Sequence, residues 1–204
     1  MKLLGISGSN REGGNSYSLL STALERAPDV DARVLQVASL SIKPCELCFG
    51  KCAQSPYACV IRDDLETVLD EMRSADGVVI ACPFYFYVPS RFQALLERIS
   101  CLDYFTLKNH GEGHSPVVGK PCGLVSVSAS GSTFNVSQIL HHLQEFALML
   151  GMRVVTRPLW PYIGVPASSG GMDAGAVLQE KGSVAQVSEL VDALVTEVRS
   201  GGRA

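Results

Sequence analysis

Long apolar runs are missing from this chain. No stretch reaches the roughly 20 residues needed to cross a bilayer, so no membrane role is expected. Basic runs are missing as well. The 17 Lys and Arg against 20 Asp and Glu leave a net charge of −3, which argues against nucleic acid as a partner. The N-terminus has strand character and none of the layout of a signal peptide, so a cytoplasmic location is expected. Without a secretion signal, the seven cysteines argue against a disulfide framework and for metal or redox use. No internal repeat, low-complexity segment, nucleophile elbow, H-E-x-x-H or kinase-like set is present, which removes the commonest hydrolase, zinc-protease and kinase chemistries.

What is present is an ordinary globular composition. The 204 residues are 47% hydrophobic and 18% charged, enough for one large domain with ample core. Short apolar runs at 3–6, 33–37, 77–81, 122–127 and 153–159 predict buried strands. Between and after them, helical patterns occupy 16–26, 64–74, 91–102, 136–150 and 184–199. Asp63 or Asp64 is placed to cap the second helix, and Gly151 to stop the fourth. Five strand–helix units in a row predict an α/β fold, a doubly wound, five-stranded parallel sheet covered on both faces. It is read as a single domain over 1–204, with a cysteine-rich loop at 43–62 and a C-terminal loop plus helix at 160–204. A strand order of 2-1-3-4-5 would put a ligand at the carboxyl ends of the first, third and fourth strands.

The loops after those three strands suit a ligand. The first runs Gly5-Ile6-Ser7-Gly8-Ser9-Asn10-Arg11-Glu12-Gly13-Gly14-Asn15-Ser16. A strand ending in small residues and hydroxyls that feed a helix N-terminus is a phosphate site, because the first helical N–H groups are unpaired and the dipole favours an anion. The dinucleotide fingerprint G-x-G-x-x-G does not fit Gly5, Gly8 and Gly13. Gly8 and Gly13 have the triphosphate-loop spacing, but Gly14 and Asn15 stand where its lysine and Ser/Thr belong. A monophosphate held by hydroxyls and amides is left, against a plain glycine turn capped by Asn15 or Ser16. The third strand ends in Cys82-Pro83-Phe84-Tyr85-Phe86-Tyr87-Val88-Pro89, a proline-stiffened aromatic loop suited to a flat ring or to burial by a dimer partner. The fourth ends in another hydroxyl-rich turn, 128–133.

Four further cysteines crowd the loop after the second strand: Cys45, Cys48, Cys52 and Cys59, spaced C-x2-C-x3-C-x6-C. Four thiols within fifteen residues can wrap one metal centre, and they match neither a zinc ribbon nor a thioredoxin motif. Cys82, Cys101 and Cys122 read as small buried hydrophobes. His141 and His142 have no paired acid or serine motif, and at least one of them reads as a surface or interface residue; His110 and His114, in a Gly-rich loop, read as ordinary loop residues, with contact to a nucleotide as the alternative. Trp160-Pro161-Tyr162 opens a Gly/Pro/Ser-rich segment, 164–175, that reads as a functional or interface loop.

The first loop, with Gly8-Ser9-Asn10-Arg11 followed by Asn15-Ser16, and the Pro83-to-Pro89 loop resemble those of the NAD(P)H-dependent FMN reductase family. The cysteine loop, followed by Asp63-Asp64, resembles that of its iron–sulfur flavoprotein branch, with one residue more in Phe49-Gly50-Lys51 than the branch has. Cys82 also replaces the family's usual Ser/Thr. The resemblance implies a flavodoxin-like fold and an FMN-dependent oxidoreductase whose chemistry is flavin-based. It implies FMN contacts from Ser7, Ser9, Arg11, Asn15, Ser16, Tyr17, Pro83, Phe84, Tyr85, Phe86, Ser130 and Gly131, and [4Fe–4S] ligation by Cys45, Cys48, Cys52 and Cys59. NAD(P)H or a ferredoxin-type donor, and a homodimer or homotetramer, follow from the same resemblance. Zinc, a redox disulfide or free thiols at the cysteines stay open, as do a cluster-free NAD(P)H:flavin or quinone reductase, a non-enzymatic flavodoxin-like carrier or sensor and a zinc-stabilised interaction domain.

Overall fold

The computed structural model describes residues 1–112, 114–130, 133–156 and 163–201. Its elements run β1 Lys2–Ser7, α1 Asn15–Glu25, β2 Asp31–Gln36, α2 Lys51–Gln54, α3 Leu65–Ser74, β3 Gly77–Pro83, α4 Ser90–His110, β4 Pro121–Ser128, α5 Thr133–Met149, β5 Arg153–Val155, β6 Val165–Ser168 and α6 Lys181–Arg199. The strand order is β2-β1-β3-β4-β5, with every pairing parallel. This is the flavodoxin-like order, and its reversal lies between β1 and β3.

Alternation along the central strands builds two cores. Leu4, Ile6, Val78, Ile80, Cys122 and Leu124 face one side and pack with α3, α4 and α5. Leu3, Val79, Ala81, Val125 and Val127 face the other and pack with α1 and α6. Both faces of β3 are apolar because both are covered, which is why it reads as a continuous apolar run rather than an alternating one.

Several elements differ from the sequence reading. The fifth strand is short, Arg153–Val155, and pairs only with Pro121–Gly123 at the start of β4. The end of β4 is paired by β6, Val165–Ser168, inside the segment expected to be a loop. Pro166 hides this strand from sequence pattern, yet an edge strand tolerates proline because one side of its backbone makes no ladder bonds. Residues 157–162, including Trp160 and Tyr162, lie outside the described residues.

Helix α4 runs to His110, past the Leu102 expected. Its last turns dock the cysteine-rich segment. Tyr57 donates its amide to Thr106 Oγ1 at 3.0 Å and its hydroxyl to the buried Asp103. Asp64 stands at the N-cap of α3 but accepts the Ser41 amide at 2.7 Å, while Asp63 Oδ1 accepts the Leu65 amide at 3.2 Å. Gly151, at φ 72°, follows the end of α5 as expected. Among the described residues, no helix is long and apolar enough to cross a membrane.

Candidate functional site

At the carboxyl ends of β1, β3 and β4 lies a cavity of about 450 Å3. Its position is the one the strand order dictates, and its size suits a cofactor. Gly8 makes the first wall possible. Its amide donates to Ala81 O at 2.8 Å, and a Cβ there would overlap the Phe92 ring of α4. The backbone therefore leaves β1 tight against the sheet before it reaches α1.

The start of α1 is uncapped. Gly14 occupies the N-cap with no side-chain hydrogen bond, and the first turn holds no acid. Its free N–H groups and the helix dipole form an anion site. Two hydroxyls at the cavity strengthen it: Ser16 is 1% and Ser128 4% exposed, and neither Oγ has a partner among the described residues. A buried polar group without a partner costs about 1–3 kcal/mol, so such a pair is a preformed receptor for acceptor atoms. Ser9 lines the same wall, its Oγ accepting the Arg11 amide at 3.0 Å.

Arg11 and Asn15 also reach the cavity, but both are tied to the distant 171–177 segment. Arg11 Nη1 donates to Met172 O at 2.6 Å, and Asn15 Nδ2 to Gly171 O at 3.3 Å. Asn15 Oδ1 accepts the Val177 amide at 3.3 Å. They hold a further wall made by Ser169, Gly171 and Met172. Ser7 and Tyr17 do not line the cavity; Ser7 is buried at the end of β1. Of the β4 turn, Ser128, Ala129 and Ser130 line it, and Gly131 lies outside the described residues.

Pro83, Phe84, Tyr85 and Phe86 form the apolar wall. Phe84 is anchored by its amide to Val127 O at 2.8 Å, and Tyr85 by its amide to Tyr87 O at 3.2 Å. Phe84 and Phe86 have ring centroids 5.7 Å apart. Phe86 is 80% exposed and sits at φ 62°, a left-handed conformation that aromatic residues rarely adopt. A large aromatic ring held out in a strained conformation beside a cavity points to stacking on a ligand.

The cysteine loop closes a second, small cavity against α4. Cys45, Cys48, Cys52, Cys59 and, unexpectedly, Cys101 all line it. Burial and then the neighbouring Cys48 and Cys59 push the Cys52 thiol up. Burial, then a hydrogen bond with Cys45, raises Cys101 to about 11. Leu47 and Phe49 both stand at φ 46°, whereas Gly50 keeps φ −86°. Gly50 serves by closeness instead: a Cβ there would lie 3.3 Å from Cys48 Sγ and Val60.

The donor chemistry suits a soft metal or an iron–sulfur cluster, since thiolates select both. The space is less suited. The cavity holds about 20 Å3, room for about one water. Among the described residues, no group of three His, Cys, Asp or Glu already stands around one point as a metal requires. Cluster binding therefore needs the loop to open.

Arg98 lies beneath the loop. Its side chain is 1% exposed and pairs with Asp63, 2% exposed, at 2.6 Å. The same guanidinium donates to Lys43 O at 3.0 Å and from Nη2 to Cys59 Sγ at 3.3 Å. Burial alone would raise the Asp63 pKa; the Arg98 hydrogen bond and the Lys43 and Leu65 amides overcome it and hold the carboxyl below its ordinary value. Nothing along α4 itself marks Arg98 as turning inward, because the acid that holds it lies 35 residues earlier.

Comparison with known proteins follows the same lines. The model of the NADPH-dependent FMN reductase family matches residues 1–162. An iron–sulfur flavoprotein of Methanosarcina thermophila is 36% identical over 114 residues, covering 53% of this chain and 59% of that protein. An iron–sulfur flavoprotein of Methanocaldococcus jannaschii is 32% identical over 162 residues, 76% of each chain. A solved flavone reductase superposes with a TM-score of 0.68 at 19% identity, over 100% of this chain and 65% of that one, and supports the fold. A cavity at the switch point and a family match over most of its length together place this chain in the NADPH-dependent FMN reductase family.

Proposed function

We propose that the chain is an FMN-dependent oxidoreductase of the iron–sulfur flavoprotein kind, moving electrons between a reduced donor and an acceptor. One observation carries the flavin part. In a chain of an FMN reductase family, the switch-point cavity joins an uncapped helix N-terminus, the partnerless hydroxyls of Ser16 and Ser128, and an aromatic wall. The α1 amides with Ser9 and Ser16 would hold the phosphate, and Pro83 to Phe86 would lie along the ring. FMN, when bound, supplies hydride and single-electron chemistry. The protein's own work is to exclude water with Phe84 and Phe86, orient the ring against β3, and present backbone N–H groups to charge that develops on it.

Cys45, Cys48, Cys52 and Cys59 are the residues that would hold a [4Fe–4S] cluster. The curated relatives named as iron–sulfur flavoproteins support this, as does the convergence of these four thiols on one cavity. NAD(P)H or a ferredoxin-type protein is the donor, and a homo-oligomer is the assembly. The exposed Phe86 and Tyr87, 80% and 82% exposed, support a second copy covering the cavity mouth.

A second reading keeps the flavin and drops the cluster, giving an NAD(P)H-dependent flavin or quinone reductase. The narrowness of the thiol cavity favours it. Purification without oxygen, followed by flavin, iron and acid-labile sulfide counts, separates the two. Four irons per chain beside one FMN uphold the cluster. FMN without iron, together with steady NADPH oxidation by a Cys48→Ala/Cys52→Ala variant, upholds the plain reductase.

A further inference from the structure

We infer that Cys101 is a modification site: its sulfur forms a disulfide with Cys45 that pins the cysteine loop to α4. The bond belongs to the loop in its closed form and needs neither the flavin nor a cluster. Three observations carry it. The Cys101 thiol stands in hydrogen-bond contact with Cys45, the two lining one cavity of about 20 Å3. Cys45 is docked over this part of α4: its amide donates to Glu97 Oε2 at 3.3 Å, and Glu97 lies about one turn before Cys101. The chain just before Cys45 is held as well, since Arg98 Nη1 donates to Lys43 O at 3.0 Å.

A disulfide suits this narrow cavity. Its sulfurs stand about 2.05 Å apart, so forming it draws the two side chains together and asks for no added room. Neither thiol is shut inside the fold: both are part exposed, unlike Cys82 and Cys122, which are buried in the sheet. The reaction is thiol–disulfide exchange with a small-molecule disulfide. The Cys45 thiolate attacks one of its sulfurs, releasing one thiol and leaving a mixed disulfide. The Cys101 thiolate then attacks the Cys45 sulfur and expels the second thiol. The two cysteines lose two electrons and two protons, which end on the two thiols released. Cys45 bonded in this way has no thiolate to offer a metal, so the bond and metal ligation by Cys45 exclude each other.

The test treats the full chain, cleared of metal by a chelator and fully reduced, with excess oxidised glutathione. Free thiols are then counted and the linked tryptic peptides mapped by mass spectrometry. Free thiols should fall from seven to five per chain, since one bond takes two. The peptide 99–108, which holds Cys101, should be found joined to 34–51, which holds Cys45 and Cys48. Cys48→Ser should keep that link, and Cys45→Ser or Cys101→Ser should abolish it. In the wild-type chain, a Cys101 that stays a free thiol, or that pairs with any other cysteine, overturns the inference without reference to a variant's folding. A link that survives Cys45→Ser overturns it as well. Either failure leaves the cluster reading intact, and a wild-type protein that binds no iron leaves the disulfide intact.

Discussion

Replacing Ser16 by alanine should have opposite effects on the empty and the loaded protein. Ser16 is 1% exposed, and its hydroxyl has no partner among the described residues. An unmet buried hydroxyl costs about 1–3 kcal/mol, so its removal leaves the empty protein as stable as wild type or up to about 1 kcal/mol more stable. Alanine is also the better helix former in the first turn of α1. With FMN bound, the same hydroxyl would donate to a phosphate oxygen, and a hydrogen bond to a charged group contributes about 1.5–3 kcal/mol. At about 1.4 kcal/mol per tenfold, Ser16→Ala should weaken FMN by about 10- to 100-fold. Urea unfolding of the flavin-free protein and calorimetric FMN titration read the two effects apart. An FMN affinity within twofold of wild type, or a destabilised empty protein, would refute the reasoning.

Three other perturbations probe the same frame. Gly8→Ala drives a methyl into the Phe92 ring, and overpacking of this kind costs about 1–3 kcal/mol, read as a lower urea midpoint with unchanged slope. Phe86→Gly relieves a left-handed residue that is 80% exposed; the flavin-free protein should gain up to about 1 kcal/mol, while bound FMN becomes more fluorescent as a stacking ring is lost. Asp63 has its pKa lowered in the folded state, so the stability it contributes is full above its unfolded pKa and fades as pH falls through the folded one. Arg98→Met/Asp63→Asn should therefore flatten the acid limb of stability against pH, with urea midpoints measured from about pH 6 down to about pH 3.

Much of the frame was legible because βα alternation and buried apolar runs are local signals. The place of the loop after β1 on the cavity was legible because a run of small residues and hydroxyls between a strand and a helix marks the carboxyl end of a sheet strand. Strand β6 was not, since Pro166 and four residues of length look like loop until β4 is known to need a partner over Val125–Ser128 on the side away from β3. The wall at Ser169, Gly171 and Met172 depends on hydrogen bonds from Arg11 and Asn15 to residues far along the chain. Cys101 read as a small core residue, and only the packing of α4 under the cysteine loop brings it to the other thiols. Ser7 has the right chemistry for the phosphate site but lies within the sheet, one step behind the cavity.

The most direct test of the account is the affinity of the flavin-free protein for FMN against riboflavin, which differ only by the phosphate. If Ser16 and the α1 amides hold that phosphate, FMN should bind at least about 100-fold more tightly, equivalent to two charge-assisted hydrogen bonds at about 3 kcal/mol together. Equal affinities would contradict the phosphate site and, with it, the placement of the flavin at the end of β1.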